Sequence, residues 1–269
     1  MNKKLLIIIV AVIAIAGVFI VLVSRRVPQT ATFFNRAASN NILSQARSFE
    51  SKGDLLSAKL LYQQLVNDFP GSPDIMEWQK KAENINIKLL FSSAITPKSI
   101  SYSIKPGDTL NKIAREHNTT VELIMKSNNI SDSLIVPGRK IKVWHAPFNI
   151  LVDKSENILW LKSDEEIFKT YIVSTGKDNS TPPGTFKIVN KLPNPTWFKA
   201  GAVVPPESPE NVLGTRWMGF NLAGYGIHGT TEPKELGKQV TQGCVRLSNS
   251  DVEELYAIVP VGTEVTVIE

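Results

Sequence analysis

Hydrophobic and polar positions follow three different patterns along the chain. Residues 5–23 are 19 consecutive residues without a charge, and at about 1.5 Å per residue they would span roughly 28 Å, close to the thickness of a bilayer core. Apolar residues recur at helical spacing over residues 39–90, whereas short β-rich runs separated by turn residues begin at Phe148. The pattern predicts a membrane-length helix, a helical segment and a mostly β domain.

The apolar segment at residues 5–23 is predicted to be an uncleaved anchor. A signal peptide has a shorter apolar region of about 7–15 residues and a small-residue cleavage site, but Arg25 and Arg26 follow this segment. Lys3 and Lys4 precede it, so charge alone leaves its orientation open.

The composition argues against a disordered chain and against a nucleic-acid-binding protein. Hydrophobic residues make up 42% of the 269 residues, which is too many for a disordered chain. Without the four basic residues that flank the apolar segment, 26 basic and 25 acidic residues remain. This balance gives no support to a nucleic-acid partner.

The helical segment, assigned to residues 30–95, contains two predicted breaks. Gly53-Asp54 separates a first helix from a second, and Ser72-Pro73-Asp74 opens a third. Counted from Ser39, this segment resembles a tetratricopeptide repeat at six positions, which are Ile42, Ala46, Phe49, Ala58, Tyr62 and Pro70. The resemblance implies a small all-α hairpin, which would set the distance from the membrane or recruit a protein partner. A plain helical spacer is the alternative.

Residues 94–101 are predicted to be a linker because they contain Pro97 and no periodic pattern. The next segment, residues 101–145, resembles a LysM module. The matching motifs are Gly107-Asp108-Thr109-Leu110 and Pro137-Gly138-Arg139-Lys140-Ile141, with Arg139 where the family often has glutamine. The resemblance implies a β-α-α-β fold that binds glycans containing N-acetylglucosamine. A degenerate module that only spaces its neighbours is the alternative.

The candidate chemistry lies in residues 147–269, around the single cysteine of the chain. Cys244 follows His228 by 16 residues, and one cysteine permits neither an intrachain disulfide nor a cysteine cluster for zinc. No metal or organic cofactor is predicted. A free thiol is only about 3% ionised at pH 7. An imidazolium at His228 and the guanidinium of Arg246 are therefore expected to stabilise the Cys244 thiolate.

Gly243, just before the cysteine, suggests a second requirement of acyl transfer. A residue without Cβ lets a substrate carbonyl approach the backbone, where nearby amides can stabilise an oxyanion. Arg246 keeps its charge and can hold a carboxylate through two parallel bonds. This short stretch is thus predicted to supply a nucleophile, oxyanion donors and a fixed cation.

Three motifs resemble the YkuD-type L,D-transpeptidases. They are His228-Gly229-Thr230 with Thr241-x-Gly243-Cys244-Val245-Arg246, Thr181-Pro182-Pro183-Gly184-Thr185-Phe186, and Asn211-x-Leu213-Gly214 with Trp217. Gln242 stands where the family often has histidine. The resemblance implies a mostly-β, sandwich-like catalytic domain with the cysteine at the floor of a cleft. It implies attack on the third-residue carbonyl of a tetrapeptide stem, release of D-alanine and transfer of the acyl group to an amine.

We assign catalysis to His228 and Cys244, and we assign substrate binding or oxyanion stabilisation to five further residues. These are Gly243, Arg246, Gly229, Thr230 and Tyr225. For Tyr225, a place in the sheet is the alternative to lining the cleft. The only helix predicted in this domain covers residues 251–258, with Ser250 and Glu253 as a capping box.

Several functional alternatives remain open. Sortases have a much longer histidine-to-cysteine separation, and papain-like peptidases have the opposite order. A non-catalytic wall-binding protein would have an inert, buried Cys244. In an enzyme, water could replace the amine acceptor.

The LysM-like module and the catalytic domain would both act on peptidoglycan. The soluble part of the chain is therefore predicted to lie outside the cytoplasmic membrane, anchored through residues 1–29. A LysM site on a short tether would raise the local concentration of stem peptides to about the millimolar range.

Overall fold

The computed structural model describes residues 29–132, 134–199 and 201–269. The predicted anchor at residues 5–23 lies outside these ranges. Among the residues that the structure does describe, no helix has the length and apolar character needed to cross a bilayer. The chain forms two compact units with their boundary between Gln79 and Lys80, a division that differs from the four predicted ranges.

The first unit is helical, and its breaks lie where the sequence predicted them. The helices are α1 (Gln29–Ser51), α2 (Leu55–Asp68) and α3 (Ile75–Leu90), the last of which continues into the second unit. Gly53 adopts a φ of 78°, and the Asp54 side chain caps α2 by accepting a hydrogen bond from the Ser57 amide. Ala58, Tyr62 and Leu65 of α2 are buried. The tetratricopeptide-like identity of this hairpin stays a prediction.

The second unit begins with the predicted β-α-α-β arrangement. Its elements are β1 (Ser99–Ser103), α4 (Leu110–Glu116), α5 (Val121–Ser127) and β2 (Lys140–Trp144). The two strands pair in antiparallel register from Ser99 opposite Trp144, so the linker before β1 is shorter than predicted. Thr109 and Thr120 cap the two helices with their side-chain oxygens.

The rest of the second unit is rich in β-structure. Its strands are β3 (Phe148–Asp153), β4 (Ile158–Ser163), β5 (Glu166–Ile172), β6 (Thr175–Gly176), β7 (Gly184–Pro193), β8 (Trp197–Lys199), β9 (Ala202–Val204), β10 (Arg216–Phe220), β11 (Gly226–His228), β12 (Gln239–Thr241), β13 (Val245–Arg246) and β14 (Glu264–Ile268). Eight of them form one sheet in the order β13-β11-β10-β7-β14-β3-β4-β5.

Strand β7 belongs to both halves of this sheet. Its first residues, Gly184 to Lys187, pair with β14, and its later residues, from Ile188 onward, pair with β10. Buried residues of both halves, such as Val152 and Ile227, belong to one hydrophobic cluster. The two halves therefore enclose a common core.

Helix α6 (Asn249–Ile258) begins two residues earlier than the sequence indicated. Its cap is Ser248, which accepts from the Asp251 amide at 3.0 Å, and the predicted capping pair of Ser250 and Glu253 is wrong. Ser248 is the capping residue because its backbone is extended, with φ −62° and ψ 156°, which is the conformation that an N-cap requires.

The LysM-like segment and the catalytic domain share one core and are not joined by a flexible tether. Leu123 of α5 and Trp144 of β2 belong to the same buried cluster as the catalytic sheet, and Trp144 stacks on Phe148 with ring centroids 5.1 Å apart. The Thr120 hydroxyl donates to the backbone oxygen of Ala257 in α6. The LysM-like segment is therefore packed directly against the catalytic domain.

The Thr120 bond across this interface can be separated from its role as a helix cap. Thr120→Val removes the cap and leaves the Ala257 carbonyl buried without its partner, whereas Thr109→Val removes a cap alone. We expect Thr120→Val to lower the free energy of unfolding by about 1–3 kcal/mol more than Thr109→Val, measured by urea denaturation. Equal losses would show that the contact with α6 adds no stability.

Candidate active site

Four neighbouring strands bring one row of side chains together. Leu192 of β7 pairs with Trp217 of β10, Trp217 pairs with His228 of β11, and His228 pairs with Arg246 of β13. Residues opposite one another in adjacent strands point to the same face of a sheet. All four residues line a cavity of about 540 Å³.

The alternation of side chains explains why this face carries the chemistry. Ile227 and Val245, which pair with each other, are fully buried in the core. Their neighbours His228 and Arg246 therefore point to the opposite face, and Cys244, two residues before Arg246, follows the same alternation. Cys244 lines the cavity together with them. The structure thus places His228, Cys244 and Arg246 in the lining of one cavity.

His228 is held by its own backbone segment and by an aromatic neighbour. Its Nδ1 lies 2.7 Å from the backbone oxygen of Gly229, and its ring stacks on Trp217 with centroids 6.0 Å apart. A carbonyl can only accept, so Nδ1 carries the proton and Nε2 keeps its lone pair. Burial lowers the pKa of His228 to about 4, and the nearby charge of Arg246 lowers it further. The imidazole is neutral at physiological pH.

Cys244 is half-buried, and its thiol donates to the backbone oxygen of Gly224 at 3.4 Å. Burial raises the pKa of the Cys244 thiol, although the backbone of Gly226 and the charge of Arg246 act in the opposite direction. The predicted thiolate beside an imidazolium is therefore not the resting state. Desolvation outweighs the contacts that favour the charged forms, so the imidazole and the thiol are both neutral at rest.

Arg246 is the fixed positive charge of the cavity. Its Nη1 lies 3.1 Å from Oε2 of Glu232, and its side chain is only 9% exposed, whereas that of Glu232 is 58% exposed. The Nε of Arg246 is buried without a hydrogen-bond partner in the described part of the chain. Glu232 thus pairs with one terminal nitrogen of the guanidinium, and the N–H at Nε remains for another acceptor.

Gly243 is required by its neighbours within the fold. Its φ is +120°, and a Cβ at this position would lie 2.6 Å from Cε1 of Tyr225. The space that we expected a substrate carbonyl to use is filled by the Tyr225 ring, which packs against the hydrophobic core. The Gly243 amide donates to Oγ1 of Thr241 at 3.2 Å, and this hydroxyl donates to the Cys244 carbonyl at 2.7 Å.

The amides of Gly229 and Thr230 also have partners within the fold. The Gly229 N–H donates to the Arg216 carbonyl at 3.2 Å, and the Thr230 N–H donates to Oδ1 of Asn249 at 3.0 Å. Neither residue is among those that line the cavity. Both build the loop behind His228, and their predicted role in binding an oxyanion is not supported by this arrangement.

Comparison with known proteins matches both domains. The YkuD model, described as the L,D-transpeptidase catalytic domain, matches residues 147–267, and the LysM domain model matches residues 102–144. The YkuD protein of Bacillus licheniformis is 34% identical over 177 residues, which cover 62% of this chain and 98% of that protein. The YqjB protein of Bacillus subtilis is 39% identical over 126 residues, which cover 45% of this chain and 70% of that protein.

This chain belongs to the YkuD family of L,D-transpeptidases. The predictions of the catalytic domain and of the LysM module are both confirmed. The enzyme is thus an L,D-transpeptidase that carries a LysM module in the same compact unit as its catalytic domain.

Sequence reasoning missed two residues of this L,D-transpeptidase site. Glu232 pairs with Arg246, and Asn249 accepts from the loop behind His228. Glu232 stands among other polar residues of a long loop, and Asn249 stands two residues before the predicted start of a helix. Nothing in their local patterns distinguishes them from solvated residues, because their partners come from other elements.

The protonation state of the resting L,D-transpeptidase can be tested on its only cysteine. With a neutral thiol of raised pKa, we expect iodoacetamide labelling of Cys244 to increase about tenfold per pH unit from pH 6 to 8, without a plateau. His228→Gln should leave the shape of this profile unchanged, because the imidazole is not charged in that range. A rate already maximal at pH 6 would contradict the neutral pair.

Proposed function

We propose that this L,D-transpeptidase acts on peptidoglycan with Cys244 as nucleophile and His228 as general base. The donor is a tetrapeptide stem, and the acceptor is an amine. The observation that supports this most is the row of His228 and Arg246 beside Cys244 in one cavity. The cavity supplies a base, a nucleophile and a fixed cation on the same face of the sheet.

The first half-reaction begins from two neutral groups. The Cys244 side chain rotates from the Gly224 oxygen, and its thiol proton passes to Nε2 of His228 as Sγ attacks the third-residue carbonyl carbon. The bond between this carbon and the D-alanine nitrogen breaks, and the proton on Nε2 passes to the departing amine. A thioester on Cys244 and free D-alanine result.

The second half-reaction uses the same groups in reverse. An acceptor amine enters, His228 removes its proton as its nitrogen attacks the thioester carbonyl, and the carbon–sulfur bond breaks. The proton returns to Sγ, and a new amide is released. Water as the acceptor would give hydrolysis instead, so the acceptor decides between cross-linking, attachment of another molecule and trimming.

Arg246 is proposed to stabilise negative charge in both half-reactions. The amides of Gly243, Gly229 and Thr230 already donate within the fold, whereas Nε of Arg246 has no partner in the described chain. A guanidinium N–H forms strong hydrogen bonds with anionic oxygens. We assign this N–H, together with the amide of Cys244, to the developing oxyanion or to a stem-peptide carboxylate.

Mass spectrometry of the intact protein with a tetrapeptide stem tests the donor reaction. We expect the wild type to gain the mass of the tripeptide acyl group on Cys244 and to release D-alanine. Cys244→Ala should give no adduct, because no other thiol exists in the chain. D-alanine release that persists in Cys244→Ala would remove this cysteine from the mechanism.

We further propose that the enzyme is anchored in the cytoplasmic membrane with its described domains outside. Residues 5–23 have the length of a bilayer-spanning helix, and a LysM module implies a glycan partner on the outer side. The shared core of the two domains implies that a bound glycan strand would have a fixed direction relative to Cys244.

A C-terminal fusion to alkaline phosphatase, which is active only after export, tests this topology. We expect phosphatase activity in the membrane fraction for the full chain. Ile13→Arg places a charge in the middle of the apolar segment at a cost of about 2.5–3.5 kcal/mol for insertion, and should reduce that activity. Equal membrane-bound activity of both fusions would contradict an anchor at residues 5–23.

A further inference from the structure

Two separate backbone segments meet at the ring of His228. The Gly229 oxygen accepts from Nδ1 at 2.7 Å, and Leu213 lines the same cavity as the imidazole. Gly229 follows β11, whereas Leu213 precedes β10. The orientation of the imidazole therefore depends on how these two segments are held relative to each other.

One side-chain oxygen joins the two segments. Oδ1 of Asn249 accepts from the Thr230 amide at 3.0 Å and from the Thr215 amide at 3.2 Å. Thr230 directly follows Gly229, and Thr215 lies two residues after Leu213. A single carboxamide oxygen thus fixes the backbone next to Gly229, which accepts from the imidazole, and next to Leu213, which lines the same cavity.

The glycines of these segments show how closely they approach. A Cβ at Gly214 would lie 2.5 Å from the Thr230 nitrogen and 2.7 Å from the Gly229 carbonyl carbon, and one at Gly229 would collide with Oδ1 of Asn249. Gly214 also has a φ of +63°. The two segments and Asn249 are in direct contact, so a displacement of one moves the others.

Asn249 is itself anchored firmly. It is the first residue of α6, and Val252, Leu255 and Ile258 of this helix are fully buried in the core. The far end of the helix is held by Lys191, whose Nζ donates to the carbonyl oxygens of Tyr256 and Val259. The carboxamide therefore extends from a rigid support.

We propose that Asn249 is a positioning residue that holds the His228 imidazole in its Nδ1–H form, with Nε2 directed to the reacting groups. The proposal rests on the proposed role of His228 as base. Asn249 touches neither substrate nor Cys244 in this mechanism. It acts through the carbonyl of Gly229 and through the segment that carries Leu213.

The experiment compares three variants of the full chain in detergent. Asn249→Ala removes the acceptor. Asn249→Asp keeps an acceptor oxygen and adds a negative charge. Ser250→Ala alters an exposed neighbour at the same helix terminus and is the matched control. Thioester formation with tetrapeptide stem is followed against pH, and ¹⁵N NMR reports the ring tautomer, with His228→Gln identifying the signal.

We expect Asn249→Ala to lower kcat by about 10–100-fold with little change in KM, and to lose the single Nδ1–H form in the NMR spectrum. Asn249→Asp should recover most of the rate of thioester formation. The acidic limb of its rate profile against pH should move to higher pH, because the added carboxylate favours the imidazolium form of His228. Ser250→Ala should match the wild type in every measurement.

Retention of the Nδ1–H form and of kcat in Asn249→Ala would overturn the proposal. Should that variant not fold, Asn249→Asp decides alone, because an unmoved acidic limb or a loss of activity at all pH values contradicts the assigned role. The tautomer measurement does not depend on turnover. A wild type that forms no thioester would therefore refute the proposed function, while the NMR comparison still tests Asn249.

Discussion

The parallel pairing of β11 with β13 is the constraint on which the site depends. It places His228 opposite Arg246, and the alternation of side chains then brings Cys244 to the same face. The long loop between the two strands can close in many ways, but the burial of Ile227 and Val245 allows only one register. A slip of one residue would turn the His228 and Arg246 side chains into the core.

Burial of the site determines its electrostatics. Desolvation disfavours every charged form, so the His228 imidazole and the Cys244 thiol rest as neutral groups although Arg246 lies beside them. In the proposed reaction, charge develops on these two groups only when a substrate carbonyl is present. Arg246 supplies the positive charge of the cavity and pairs with Glu232. Under the proposed mechanism, the Cys244 thiol is activated during the reaction rather than before it.

Helix α6 links the remote parts of the enzyme to this chemistry. Its last turn accepts a hydrogen bond from Thr120 of the LysM module, and its first residue, Asn249, accepts from the backbone behind His228. The carbonyls at the end of a helix lack intrahelical partners, so Thr120 and Lys191 satisfy groups that would otherwise be buried alone. Module, helix and active site share one hydrophobic core.

The sequence alone determined the LysM module, the catalytic domain and most of their elements, because motifs and hydrophobic periods are local properties. It also predicted the pair of His228 and Cys244. From the sequence, we expected the space beside Gly243, which has no Cβ, to admit a substrate carbonyl. In the structure, the Tyr225 ring fills that space. Sequence reasoning also expected charged catalytic groups and overlooked Asn249. Only the tertiary structure decided these points, since a pKa and a hydrogen-bond partner depend on atoms from elements that are distant in the chain.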